Sequence, residues 1–188
     1  MLKKSKAFWA RNLEEYVVRR TGDPNEAEII HSGKLAAYLD KIPGELRTIL
    51  KNENGNDGVL YLDPKVNGVI APFSTAIYDN SGKLVLEIKS GCFSYSGKIY
   101  MFKSLPHGKS MKGHLHPLKY ITRLDHLPFH SVDEIDRMTR EKLQKHRGVQ
   151  VGTLEGLGSL GHEVSLAEEL APIGLPLSAA SYLLYSTG

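Results

Sequence analysis

The sequence contains one cysteine, Cys92, and one tryptophan, Trp9, among 188 residues. A single cysteine cannot form an intrachain disulfide or a zinc ribbon, and it is typical of a reducing compartment. The segment after Met1 is rich in lysine and lacks the apolar stretch of a secretory signal. We therefore expect an intracellular protein, in the cytoplasm or nucleus, that is at most peripheral to a membrane.

The composition has no extreme that would indicate a fibrous or disordered chain. Hydrophobic residues make up 41% and charged residues 24% of the sequence. These values exclude intrinsic disorder, collagen and small disulfide scaffolds. The length predicts one compact domain that can bury a core without help from a metal ion.

Acidic residues are missing from the whole stretch between Glu87 and Asp125. The same stretch carries seven basic residues: Lys89, Lys98, Lys103, Lys109, Lys112, Lys119 and Arg123. A second basic cluster, Lys3, Lys4 and Lys6, precedes the first acidic residue. A local positive field of this kind attracts polyanions, whereas a solvated loop whose lysines only confer solubility is the simpler alternative.

Residues 1–52 are predicted to form a helical N-terminal part. Trp9, Leu13, Tyr16 and Val17 fall on one face of a helix over residues 5–20. The next segment resembles a helix start, with an N-cap, a proline at the first helical position and a glutamate after it (Asp23-Pro24-Asn25-Glu26). Further helical pieces are predicted over 35–42 and 45–51.

Residues 58–124 predict an antiparallel meander of four to five strands, because the apolar period changes there from 3.6 to 2. The turn Asp79-Asn80-Ser81-Gly82 predicts a hairpin between strands 68–78 and 83–90. Counting back from this turn places Ile77 opposite Leu84, Thr75 opposite Leu86, and Phe73 opposite Ile88. A second hairpin is predicted over 92–102, and residues 103–117 read as a long basic loop.

Residues 131–188 are predicted to be helical and apolar. Ser131-Val132-Asp133-Glu134 is a capping box that opens a helix burying Val132, Ile135, Met138 and Leu143. Ser165 and Glu168 predict another short helix. The uncharged tail 170–188 indicates either a final core helix or an exposed patch for homo-oligomerisation, and its prolines argue against a transmembrane span. The fold class expected is a single-domain α+β protein.

One enzymatic pattern stands out, because Glu87 and Lys89 form an E-x-K motif on a predicted strand. Metal-dependent nucleases of the PD-(D/E)xK type place such a pair beside a further carboxylate on a neighbouring strand, where two acids hold a metal that activates water. Asp63 is the candidate for that acid. The alternative interpretation is a solvent-facing pattern of cross-strand charges.

Neither the glycines nor the histidines predict a cofactor. Residues 156–161 match G-x-G-x-x-G, but no acidic residue follows Glu169, as a dinucleotide site would require. His114 and His116, with His126 or His130, have spacings that a zinc site could use, although no cysteine cluster supports it. We therefore expect neither a metal nor a cofactor.

The basic stretch is the strongest functional signal. Aromatic residues that could stack on bases are interleaved with its lysines, although a meander would bury about half of them: Phe93, Tyr95, Tyr100, Phe102 and Tyr120. The sequence thus predicts a non-enzymatic protein that binds nucleic acid or anionic lipid headgroups, such as a viral matrix-like or nucleoprotein-like assembly component. A nuclease using Glu87 and Lys89 and an interaction module using the apolar tail are the alternatives.

Overall fold

A computed structural model describes residues 13–43, 47–52, 55–62, 75–104 and 119–186. These ranges are mostly β. They form twelve strands: β1 Leu13–Arg20, β2 Glu26–His31, β3 Lys34–Lys41, β4 Arg47–Asn52, β5 Gly55–Leu62, β6 Thr75–Asp79, β7 Leu84–Ile88, β8 Cys92–Tyr95, β9 Lys98–Ser104, β10 Lys119–Leu124, β11 Val149–Gly156 and β12 Gly161–Ala167. The α-helices described are α1 (Arg137–Lys145) and α2 (Gly174–Ser186), and short 3₁₀ helices span Val132–Glu134, Gly158–Leu160 and Glu168–Ile173.

The strands form one antiparallel sheet in the order β7-β6-β5-β4-β3-β2-β1-β12-β11-β10-β9-β8. The outermost members of this order, β7 and β8, follow each other in the chain. Two backbone hydrogen bonds join them, because Lys89 N donates to Cys92 O at 2.8 Å and Cys92 N donates to Lys89 O at 2.9 Å. The sheet therefore closes on itself into a cylinder.

Helix α2 fills the cylinder. It contacts β1, β2 and β12 on one side and β6 and β7 on another. All of residues 177–182 are buried, so the sheet covers every face of the helix. Its buried hydroxyls are satisfied within the helix, since Ser178 Oγ donates to Gly174 O at 2.8 Å and Ser181 Oγ donates to Ser178 O at 2.7 Å.

The cylinder has two different ends. At one end, which we call the base, β1 begins, β12 ends, and the 3₁₀ helix Glu168–Ile173 leads into α2. At the other end, which we call the mouth, β1 ends at Arg20, β3 ends at Lys41, β10 begins at Lys119 and β12 begins at Gly161. Helix α2 runs from the base toward the mouth.

A second core lies on the outside of the sheet, where α1 and the 3₁₀ helix Val132–Glu134 cover β8, β9 and β10. Its buried members are Cys92, Ile99, Met101, Leu124, Val132 and Leu143. Cys92 is a free, buried thiol. The 125–148 connection is therefore anchored to the outer surface by apolar packing.

The prediction of N-terminal helices is wrong for the described residues, which form β1 to β4; residues 5–12 lie outside the described part. In β1 the buried side chains are Tyr16 and Val18, which alternate as in a strand. The apolar residues of this segment also fit a helical period, so the sequence alone did not reveal the alternation. The supposed helix start is the β1–β2 turn. There Asn25 N donates to Asp23 Oδ1 at 2.8 Å, because aspartate closes turns with the same geometry that it uses in caps.

The hairpins of the meander are confirmed, but the strand count and one register are wrong. Six strands, β5 to β10, lie between residues 55 and 124 in the described ranges. Ile77 pairs with Leu86 and Thr75 with Ile88, since a bulge after Ile77 brings Leu84 opposite Tyr78. The pairing is shifted by two residues, so the residues expected on the inner face remain there, except for Leu84, which is exposed. Phe73 lies outside the described residues.

The prediction of a helical C-terminal part is also wrong for residues 149–167, which contain β11 and β12. The capping box is present, since Asp133 N donates to Ser131 Oγ at 3.2 Å, but it closes only a 3₁₀ turn. Helix α1 starts separately, where Thr139 N donates to Asp136 Oδ1 at 2.6 Å. The final core helix is confirmed as α2. The α+β class with helices at both ends is therefore replaced by a closed sheet around one helix.

Candidate anion-binding site

Two of the predicted basic residues lie at the base and are paired with acids. Arg123 Nη1 donates to Glu169 Oε2 at 2.7 Å, and its Nε donates to Asp125 Oδ1 at 2.9 Å. Lys98 Nζ lies 3.5 Å from Glu169 Oε2. The hydrogen bond with Asp125 raises the pKa of Arg123, and the same contact lowers the pKa of Asp125. Local carboxylates thus offset these two charges.

Lys89 lies on the outer face of the sheet between two carboxylates. Its Nζ is 3.4 Å from Glu87 Oε1 and donates to Asp133 Oδ1. The hydrogen bond to Asp133 raises the pKa of Lys89. Glu87 pairs across the sheet with Ala76, whereas a nuclease would need an acid on that neighbouring strand.

Asp63, the proposed third member of the nuclease motif, lies outside the described residues. So do His114 and His116. In the part of the chain that the structure describes, no group of three or more His, Cys, Asp or Glu side chains could hold a metal ion. The G-x-G-x-x-G segment is the connection between two antiparallel strands, β11 and β12, and not the strand-to-helix turn of a dinucleotide site.

The remaining described lysines of the basic stretch are half-buried. Lys103 Nζ donates to the backbone carbonyl of His146 at 2.6 Å. Burial lowers the pKa of both Lys103 and Lys119. The described members of the stretch therefore occupy separate places, at the base, on the outer face and near the mouth.

Five predicted anion-binding lysines lie outside the described residues: Lys3, Lys4, Lys6, Lys109 and Lys112. The first three precede β1, which begins at the base. Lys109 and Lys112 belong to the segment 105–118 that joins β9 to β10. Its flanking residues Ser104 and Lys119 pair with each other, so the segment leaves and re-enters the sheet at the mouth.

Three basic residues occupy inward-facing strand positions at the mouth: Arg20, Lys41 and Lys119. Arg20 continues the alternation of the buried residues Tyr16 and Val18. Lys41 continues that of Ala37 and Leu39 on β3. Lys119 pairs with the buried Leu154, which directs both side chains to one face of the sheet.

His162 shows that two of these cations share one region. Burial, together with the charges of Arg20 and Lys119, lowers the pKa of His162 to about 3. Burial raises the pKa of Tyr182 on α2; the charge of Arg20 opposes this shift and that of Asp23 adds to it. Both basic side chains therefore act on the inner region of the mouth, beside the C-terminal part of α2, where the helix dipole favours cations.

The acids near the mouth lie mainly on the outer face, where they have their own partners. Glu28 binds the outward-facing Arg19, and Asp40 Oδ2 accepts from Lys51 Nζ at 2.5 Å. Among the described strand positions that face inward at the mouth, none is acidic. The mouth therefore gathers inward-facing basic residues from three separate strands of the described part.

The aromatic residues of the basic stretch do not form a stacking surface. Phe93 and Tyr100 are 0% and 1% exposed, and their rings stack on each other with centroids 5.0 Å apart. Tyr95 and Phe102 pack against the same inner core, and Tyr120 is half-buried. Phe93 and Tyr100 are therefore unavailable for stacking on bases, which is the outcome that alternation within a meander favours.

The tail residues are likewise used inside the protein. The central side chains of α2 are buried, and Leu170 and Ile173 belong to the inner core. These described side chains are therefore not part of an exposed apolar patch, and self-association of the protein stays a prediction. No helix in the described ranges combines the length and apolar content needed to cross a membrane.

Sequence reasoning missed Arg20 and Lys41. Each ends a strand whose alternate positions are apolar, and that period of two was the available signal. It was obscured because both segments also fit a helical period. Arg20 and Lys41 lie far in sequence from the basic stretch, so only the long-range pairing of β1 with β12 brings them to the end that also holds Lys119.

Comparisons with known proteins assign no family. No family model matches the chain, and no curated protein matches it. An X-ray structure of a protein from Arabidopsis thaliana is similar over 93% of each chain, with 10% sequence identity and a TM-score of 0.44. This level of similarity assigns neither a family nor a function.

Proposed function

We propose that the protein is a non-enzymatic binder of polyanions and that the mouth of the cylinder is its binding site. The observation that carries this proposal is the placement of Arg20, Lys41 and Lys119 on inward-facing positions of three strands, all at the mouth end of the sheet. Cations distributed along one rim of a sheet attract arrays of phosphate or sulfate groups and bind them by releasing counterions.

The segment 105–118 supports the same location. It contains Lys109 and Lys112 but no acidic residue, and both of its flanking strands end at the mouth. The sequence therefore adds two further basic residues between two strand ends that lie at the mouth. The paired cations Lys89, Lys98 and Arg123 are left out of the proposed site because carboxylates already offset their charge.

A charge reversal at one end of β3 tests the site against a matched control. We expect Lys41→Glu to weaken binding to heparin more than about fivefold, since a cation near an anionic surface contributes about 1 kcal/mol and a reversal removes more than that. Lys34→Glu changes the net charge equally on the same strand, but at the base, and is expected to retain wild-type affinity. Affinity is measured as retention on heparin over a salt gradient.

A second variant tests the two lysines of segment 105–118. Lys109→Glu combined with Lys112→Glu should weaken retention further while leaving thermal unfolding unchanged. Lys103 is kept because its ammonium group donates to the His146 carbonyl and its loss would disturb folding. Equal retention of the Lys41 and Lys34 variants, or no loss in either, would show that the mouth is not the binding site.

A further inference from the structure

The β11–β12 connection carries two exposed leucines at the mouth. Leu160 is 68% exposed and Leu157 is 36% exposed, so both expose apolar surface to water at one narrow tip. The tip is fixed locally, because Leu157 N donates to Gly161 O at 2.8 Å and residues Gly158–Leu160 form a 3₁₀ turn. An apolar tip held in one conformation can enter an apolar phase with little loss of conformational entropy.

Basic residues flank this tip on both neighbouring strands. Gly161 pairs with Arg19, which places Leu160 beside Arg20 at the end of β1. On the other side, β11 pairs with β10, whose first residue is Lys119. The leucines therefore project between two of the cations of the proposed anion site.

The apolar tip and its flanking cations together favour one class of polyanion as the binding partner. Nucleic acid is bound through phosphates and stacked bases, but four of the five aromatic rings of the basic stretch are buried or packed against the core. Exposed leucines contribute little to such a complex. An anionic membrane matches both features, because its headgroups attract cations and its acyl layer accepts leucine.

On these grounds we propose that the mouth docks on an anionic lipid surface and that Leu157 and Leu160 insert into it. This inference rests on the proposed anion site and specifies its partner. The outer-face carboxylates Glu155 and Glu163 pair with each other two residues behind Leu157, about 6 Å from it along the strand. Their charge limits insertion to the tip.

The test compares two equally exposed apolar residues. Leu160→Asn removes the inserting side chain, whereas Met138→Asn changes a side chain that is 67% exposed on α1, on the outer surface. Binding is measured by co-sedimentation with vesicles of phosphatidylcholine, with and without phosphatidylserine. We expect binding only with phosphatidylserine, a loss of about tenfold in Leu160→Asn and no loss in Met138→Asn. All three proteins should be retained equally on heparin.

The remaining outcomes separate this inference from the function on which it rests. Retention on heparin without binding to phosphatidylserine vesicles would overturn the membrane inference and leave the anion site intact. Equal vesicle binding by Leu160→Asn and the wild type, or equal binding to phosphatidylcholine alone, would also overturn it. Failure to bind either heparin or vesicles would remove both proposals.

Discussion

Gly161→Ala is expected to prevent folding or to lower the free energy of unfolding by more than about 4 kcal/mol. Gly161 opens β12 beside β1 with φ +129°, and a Cβ at this position would lie 1.9 Å from the carbonyl oxygen of Val18. That oxygen belongs to the backbone of the paired strand and cannot move aside without separating β1 from β12. Urea unfolding measures the change.

Gly33→Ala is the control for backbone conformation alone. Gly33 also has a positive φ, +74°, but nothing lies within 4 Å of the Cβ that alanine would add. Its substitution should cost about 1 kcal/mol, the usual penalty of a left-handed conformation. A loss in Gly161→Ala no larger than that in Gly33→Ala would show that the contact with β1 is not tight.

Acidification is expected to destabilise the protein through His162. Ser181 Oγ lies 2.6 Å from His162 Nε2 and donates its own proton to Ser178 O, so Nε2 carries the proton of the neutral ring. Burial, together with Arg20 and Lys119, lowers the pKa of the folded-state imidazole to about 3. An unfolded histidine titrates near 6.5.

The sign of this effect follows from which state binds the proton. Between pH 6.5 and about 3 the unfolded chain takes up a proton at His162 that the folded protein excludes, so stability falls as the pH falls through this range. From pH 7 to pH 5 the expected loss is about 2 kcal/mol. That loss is insensitive to the folded-state pKa as long as it stays well below 5.

His162→Gln tests the assignment by urea unfolding at pH 7 and pH 5. Glutamine retains a donor for Ser181 but does not titrate, so the variant should lose about 2 kcal/mol less than the wild type over this interval. His130→Gln removes an exposed histidine and should behave as the wild type. Identical pH dependence in all three proteins would mean that the buried ring is not the group responsible.

Features set by neighbouring residues were predictable from the sequence. Asp79 closes the β6–β7 turn by accepting from Ser81 N at 2.9 Å and Lys83 N at 3.0 Å, so this hairpin follows from local chemistry. The Ser96-Gly97 turn has positive φ at both residues, as a two-residue hairpin requires. A core helix was one of the two structures predicted for the uncharged tail, and α2 confirms it.

Features that depend on distant pairing were not predictable in this way. The segment of β1 fits both a helix and a strand, and its pairing with β12 across most of the chain decides between them. The charge of the basic stretch also depends on contacts between residues that are distant in the sequence. Arg123 is neutralised by Glu169, a residue 46 positions away, whereas Arg20 and Lys119 reach the same end of the sheet only because β1 pairs with β12. Charge along the sequence therefore did not indicate charge in space.

The pairing of β1 with β12 has a consequence for how the protein is made. During synthesis β1 leaves the ribosome long before β12 and α2 exist, so its partner strand on that side and the helix that fills the sheet are both absent. The growing chain must hold an open, unfilled sheet until translation reaches residue 186, and contacts of such long range also fold slowly. Ribosome-bound chains that stop before α2 should therefore be open to proteases and chaperones, while the released protein is not.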